Sequence, residues 1–241
     1  MSGAVLALSR AEAKLLLRNK TVATSATLLP MLMGFFLAHS VPENAGAPVW
    51  STTLSLQLLM VLGFTVYFTV TAALTSRRED LYLKRLRSGE PSESAILTGL
   101  LAPVVVLGIV QAVAVLVIAA VLGAPVVANP LLLAVAMLVG TALCVAAGAA
   151  TSGRTSTAEQ AQITTLPWFF VLIGGAMWMS MSAEVTPIML AVPGGAFADL
   201  VRRSMSGEDA LGALPALGAL LAWTVLLTIL SRAWFRWEPR T

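Results

Sequence analysis

The stretch AILTGLLAPVVVLGIVQAVAVLVIAAVL, Ala95 to Leu122, runs for 28 positions without a charged residue. About 20 apolar residues in α-helical form cross the hydrocarbon of a bilayer, so this segment is read as a membrane span with a turn or two to spare. A helix is the form such a segment takes in lipid, because it satisfies its own backbone hydrogen bonds. Five further stretches have the same character: Val22 to Val41, Thr52 to Thr75, Val126 to Thr151, Ile163 to Ala183 and Ala210 to Ser231. The expectation is one all-α integral membrane domain of six transmembrane helices filling residues 1–241. Pro103, Pro167 and Pro215 mark kinks or first turns. The first stretch is too long, and begins too far into the chain, for the 7–15-residue apolar core of a signal peptide, and is read as a span.

Composition agrees. The chain is 58% hydrophobic and 11% charged, with mean hydropathy +0.87, against about 25% charged residues in soluble domains. The single cysteine, Cys144, lies in an apolar run and excludes a disulfide framework or a cysteine metal site within one chain. No basic patch with interleaved aromatics points to nucleic acid. His39 is the sole histidine, and no Ser/His, paired-Asp or His/Glu constellation falls within the spans, so an intramembrane enzyme is disfavoured. Arginines outnumber lysines twelve to three, a bias expected of a GC-rich bacterial genome and hence of a bacterial cell membrane.

Charge sets the orientation. Thirteen of the fifteen basic residues fall before the first span, in the second and fourth loops, or after the last span. Only Arg202 and Arg203 fall on the other side. The positive-inside rule then places both termini in the cytoplasm. Trp234 and Trp237 fit an interfacial anchor after the last span.

Three segments outside the spans stand out. In the lead, residues 1–21, Arg10, Lys14 and Arg18 recur every fourth residue with Leu8, Leu15 and Leu16 on the far side, the pattern of an amphipathic helix at a lipid surface. Glu12 and Asn19 interrupt its apolar side. The loop of residues 76–94 is short and densely charged, helix-competent from Arg78 to Arg87, with Tyr82, Leu83 and Leu86 as a small apolar knob. Gly89 and Pro91 stop it, and Ser92 or Ser94 caps the following helix. Residues 184–209 are long for an outside loop and largely apolar from Pro187 to Val201. They are read as a re-entrant helix broken at Pro193-Gly194-Gly195, followed by an interfacial helix around Ala196 to Met205, because apolar irregular backbone at membrane depth must be shielded by protein; an ordinary amphipathic outside loop is the alternative reading.

Within the spans, Gln57, Gln111, Thr65, Thr69 and Thr71 are the main polar groups. The glutamines suit interhelical hydrogen bonds, and the lack of a midplane carboxylate argues against ion-driven transport. Ala136, Gly140, Cys144, Gly148 and Ser152 recur every fourth residue, a close-packing seam within one chain or across a dimer. Trp168, Phe169, Met177 and Trp178 give the fifth span a bulky, adaptable surface. Two readings stand for it: a lipophilic substrate path, with Gln57 contributing, or a lipid-facing wall.

Arg78-Glu79, Leu83-Lys84-Arg85-Leu86-Arg87 and Ile96-Leu97-Thr98-Gly99 together resemble a signature of type-2 ATP-binding-cassette (ABC) exporter permeases, in particular those paired with antibiotic-resistance ATPases. The family pattern runs RE-x-G-x-L-x-x-L-x-x-x-P with a glycine opening the third span. Here Leu81 stands at the glycine position and Glu90 at the proline position. The segment Pro193 to Gly207 is similar to the family's P…R…G element before the last span. The resemblance implies a coupling helix in the 76–94 loop that docks on a separate cytoplasmic ATPase. Arg78, Glu79, Leu83, Lys84, Arg85, Leu86 and Arg87 are its candidate contacts, with Arg10, Lys14 and Arg18 in support and an outer gate at Pro193, Gly194 and Gly195. It also implies a homodimer or a pair with a related permease, outward transport, and ATP and Mg on the partner. This chain has no phosphate loop and needs no cofactor of its own. The few polar groups favour a lipophilic or amphipathic cargo. The competing reading is a membrane scaffold or sensor for a cytoplasmic signalling protein.

Overall fold

The computed structural model describes residues 3–18, 20, 24–89, 92–182, 184–235 and 237. Among them every regular element is a helix. In chain order these are α1 Gly3–Arg18; α2 Leu29–His39, entered through a π-turn at Thr24–Leu28; α3 Ala47–Glu79; α4 Tyr82–Arg87; α5 Glu93–Val121; α6 Pro130–Arg154; α7 Ala161–Met181; α8 Pro187–Ala191; α9 Pro193–Ser206; and α10 Leu214–Trp234. Helices α3, α5, α6, α7 and α10, the last counted from Ala210, are long and apolar enough to cross a membrane. Among the described residues, five of the six expected spans are long enough to cross by themselves, and the first apolar stretch contributes the shorter apolar helix Ala26–His39; Val22 lies outside the described residues.

The helix ends follow from local chemistry. The Ser92 side chain accepts the Ala95 N–H at 3.3 Å and opens α5, and Asn129 accepts the Leu132 N–H at 3.0 Å and opens α6. Pro130 and Pro215 sit in the first turns of α6 and α10, and Pro167 sits where α7 restarts at Leu166 after a break at Thr165, positions where the missing N–H costs nothing, whereas Pro103 lies inside α5.

Helix α3 is the buried axis. It passes through a π-helical segment at Val61–Phe68, and its polar groups serve packing. Gln57 Nε2 donates to Gly34 O at 2.6 Å, and Thr65 Oγ1 donates to Ala26 O at 2.7 Å. Gln111 Nε2, from α5, reaches the same Ala26 carbonyl at 2.9 Å. These bonds hold α2 against α3 and α5, and they occupy an acceptor in a π-turn, where the backbone ladder is irregular. The small-residue seam of α6 is internal to the chain: a Cβ at Gly140 would meet Leu62 of α3 and Phe197 of α9, and one at Gly148 would meet Val70 and the Tyr67 carbonyl. Cys144 is buried between them.

Helices α8 and α9 form a hairpin that enters and leaves the bundle at one end. The Asn129 N–H, at the start of α6, donates to Ser204 O near the end of α9. The other end of α9 lies against Leu172–Ala176, inside α7. The chain breaks at Val192, whose backbone is extended, and Gly194 and Gly195 sit in the first turn of α9. Two expectations are corrected here. The turn comes one residue before Pro193. The segment Ala196 to Met205 is also not laid on a surface, since Pro193 to Val201, Ser204 and Met205 are buried. Its apolar groups face neighbours on all sides, so no exposed face is left over.

Candidate functional site

The described residues of α1, the end of α3, α4, the start of α5, the end of α6 and the tail after α10 converge at the opposite end of the bundle. Leu81 initiates α4 in a left-handed conformation (φ 58°, ψ 13°), the region that glycine enters freely and a leucine enters at a cost of about 1 kcal/mol. That turn reverses the chain after α3 and projects a six-residue helix from the bundle. Leu83 is fully buried against Ile96 and Leu100, with Leu8 of α1 and Phe235 and Trp237 of the tail around them. Gly99 permits this closeness: a Cβ there would lie 2.8 Å from Leu8 Cδ2, and Ser9 Oγ donates to the Gly99 carbonyl at 3.1 Å.

The Arg78-Glu79 pair turns inward on its own chain. Arg78 is 1% exposed. Its guanidinium donates to Ser152 O at 2.9 Å and to Thr155 O, setting a positive charge on the carbonyl end of α6, where the helix dipole favours it. The exposed Glu79 accepts the Ala158 N–H at 3.1 Å. Together they fasten the end of α3 to the α6–α7 connection. Arg78 and Leu83, expected among the residues facing outward, are interior. Leu86 is half-buried, while Glu79, Lys84, Arg85 and Arg87 are exposed, as are Arg10, Lys14 and Arg18 on α1. Asp80, Leu81, Lys84, Arg85 and Ser88 line a shallow concavity on the outer side of α4. Glu90 and Pro91 lie outside the described residues.

Glu12 explains the broken apolar face of α1. It is buried, and Arg77 embraces it in a two-pronged pair, Nε to Oε1 at 3.1 Å and Nη2 to Oε2 at 2.8 Å. A charge on an apolar helix face was the signal for a buried partner; the partner itself, 65 residues away, left no local trace.

Beside this pair opens a cavity of about 670 Å³ between α1, α3, α5 and α7, within the size range of small-molecule sites. Its lining combines apolar Leu16, Phe64, Phe68, Pro103 and Val104 with polar and charged Glu12, Arg77, Ser76, Glu159 and Gln162. Phe169 backs the wall, with its ring 4.9 Å from Phe64 and 5.3 Å from Phe68. The other residues of the expected path do not join it. Gln57 gives its Nε2 to Gly34 on the α2 side, Trp168 meets Trp223 edge to face at 5.4 Å, and Met177 and Trp178 are exposed on the outside of the bundle.

At the far end, Pro193, Gly194 and Gly195 form the inner apex of the hairpin, in backbone contact with α7. Near the mouth of the hairpin, Asp199 is 0% exposed and binds Arg202 Nη2 and Arg203 Nε, each at 2.8 Å. Glu208 pairs with the same two arginines. Its carboxyl is held below the usual range, chiefly by the hydrogen bond from Arg202, with partial burial opposing. The spacing of Asp199 three and four residues before the arginines was a legible sign of this cluster.

Residues 43–233 match the family model described as ABC-2 family transporter protein. No curated protein matches the chain.

Proposed function

The chain belongs to the ABC-2 transporter family, and on that premise we propose that it is the membrane-spanning permease subunit of an ATP-driven exporter in a bacterial cell membrane. The hydrolysing subunit is a separate cytoplasmic ATPase, which binds the ATP and Mg, and two permeases, identical or related, complete the complex. Six spans place both termini and the α4 end in the cytoplasm, with the hairpin opening outward. Helix α1 lies at the inner membrane face with Arg10, Lys14 and Arg18 toward the headgroups. The hairpin is re-entrant and closes the outer end.

The observation that carries this reading is the construction of α4. It is set off by a left-handed turn, rooted by buried Leu83, and offers Leu81, Lys84 and Arg85 outward beside a shallow concavity. Such an element suits docking on an acidic groove, with the charges fixing register and on-rate and Leu81 supplying apolar contact. Because Arg78 ties α3 to α6, a push on α4 is received by the bundle and not absorbed in a loose loop. The cavity beside it, lined by both apolar and charged residues, supports an amphipathic cargo taken from the inner side.

The test is the double variant Lys84→Glu with Arg85→Glu, co-expressed with the ATPase. We expect loss of the co-purified ATPase and of ATP-dependent export, with a melting temperature lowered by no more than a few degrees, because both side chains are exposed and the Arg85 bond to Asp80 O lies at the surface. Recovery of an intact, active complex would overturn the assignment, and recovery of a signalling protein in place of an ATPase would favour a scaffold.

A further inference from the structure

A six-residue helix cannot hold itself in water, so whatever grips α4 governs what its displacement does. Part of the grip is made by residues that follow the matched segment 43–233, to which family membership assigns no role. We propose that the tail residues Trp234, Phe235 and Trp237 form a clasp that joins α4 to α10, so that α10 carries a displacement of α4 to the apex of the outer hairpin. The proposal rests on the exporter reading.

The path can be followed contact by contact. Phe235 and Trp237 pack on the Leu83–Ile96–Leu100 cluster, their own rings stacked edge to face at 5.5 Å. The Arg87 guanidinium lies 5.5 Å from the Trp237 ring centre and is held in place by Glu93 at 2.8 Å. The described part of the tail is therefore attached to both the buried and the exposed sides of α4. It cannot swing away easily, because it crosses the end of α6 in direct backbone contact: a Cβ at Gly153 would stand 2.7 Å from the carbonyl carbon and oxygen of Trp234. Arg154 closes over the Trp234 ring at 4.1 Å. The Phe235 N–H still donates to Ser231 O at 2.7 Å, so Phe235 is held to the last turn of α10.

Eleven residues back along α10, about 16 Å at helical rise, Trp223 Nε1 donates to Ala191 O at 2.8 Å. Ala191 is the last residue of α8, next to the break at Val192. One continuous helix thus holds the α4 cluster at one end and the hairpin apex by a directional hydrogen bond. Over that length a helix moves as a body. Phe235 and Trp237 are accordingly positioning residues: they touch no cargo and act through α4 and α10. A tail that only covered Leu83 from solvent would have no need of the Trp223 bond midway along the same rod.

The experiment uses the full chain with its co-purifying ATPase in nanodiscs. An environment-sensitive fluorophore on Ile188→Cys, an exposed position of α8, reports the hairpin; the native Cys144 is buried and stays unlabelled. The signal is the change on adding ATP, Mg and vanadate. Trp237→Ala is expected to cut that change at least fivefold while the ATPase stays bound and its hydrolysis rate stays within twofold. Trp237→Phe should retain most of the change, and Trp223→Phe should lose it as Trp237→Ala does. An undiminished signal in Trp237→Ala overturns the clasp and leaves the exporter reading intact. Loss of signal together with loss of the bound ATPase assigns the tail to folding alone and also overturns it. No signal from the unsubstituted complex sinks the exporter reading and the clasp with it.

Discussion

Replacing Gly194 by alanine tests the hairpin apex with a built-in control. The added Cβ would stand 1.7 Å from Leu172 O, 2.6 Å from the Leu172 carbonyl carbon and 3.0 Å from Ala176 N. All three are backbone atoms of α7, which cannot step aside as a side chain can. Ordinary contact begins at about 3.4 Å, so the apex must retreat by about 1.7 Å. That retreat unseats Phe197, Leu200 and Val201, all buried, and strains the Trp223–Ala191 bond. Overpacking of this kind costs about 1–3 kcal/mol, and the lost hydrogen bond adds about 1 kcal/mol. For a chain of this length, each kcal/mol lowers the melting temperature by about 2–4 °C, so the expected fall is on the order of 10 °C. Cys144, the sole cysteine and 1% exposed, supplies the assay: a thiol-reactive dye becomes fluorescent as the bundle opens. Gly174→Ala in α7, with nothing within 4 Å of its Cβ, is the control and should melt at or above the unsubstituted protein, since alanine is the better helix former by about 1 kcal/mol. A Gly194→Ala protein melting within about 2 °C of the unsubstituted one, less than the fall per kcal/mol allows, would refute the close-approach argument.

Three further outcomes are expected. Leu81→Gly should raise the melting temperature by a few degrees by relieving about 1 kcal/mol of left-handed strain, and Leu81→Val should lower it, since a branched Cβ tolerates positive φ worst; equal melting of the two would show that α4 is not anchored through this turn. Arg77→Ala, which strands a buried Glu12 carboxylate, should cost about 1–3 kcal/mol in a denaturation titration, and adding Glu12→Gln should restore part of it; simple additivity would mean the pair is not coupled. Glu208 titrates lower in the folded chain than its ordinary value of 4.5, so its contribution is present above that pH and is lost as pH falls below it. Glu208→Gln should flatten the fall of melting temperature as the pH is lowered through and below 4.5 relative to the unsubstituted chain, and parallel curves would count against the ion cluster.

Much of this architecture is readable before folding, for reasons that differ by segment. An uncharged run such as Ala95 to Leu122 declares a helix because lipid leaves it no alternative. The capping role of Ser92 and the seam on α6 are equally local, being matters of residue type and spacing. What stays hidden is non-local pairing. Arg78 looks like any solvated arginine of a basic loop; its burial follows from carbonyls left open at the end of α6, 74 residues later. Leu83 and Leu86 look alike, yet Leu83 is fully buried with Ile96 and Leu100, whereas Leu86 packs against that cluster from its edge and stays half-buried. The glycines after Pro193 suggest a turn, whereas they lie inside a helix and serve to bring it against α7; the turn itself is at Val192. The tail reads as a membrane anchor because its tryptophans alternate with arginines, but the rings of Trp234 and Trp237 are taken by Arg154 and Arg87 from elsewhere in the chain.

The four charges at the mouth of the hairpin have an electrical consequence. Asp199 and Glu208 balance Arg202 and Arg203 one for one, and all four travel with α9 and the turn that follows it. Moving one uncompensated charge through a membrane potential of 100 mV costs about 2.3 kcal/mol. As a neutral set, these four add no net gating charge to the hairpin motion proposed above, so the work that motion would do against the field falls to Asp209, the next residue of the turn.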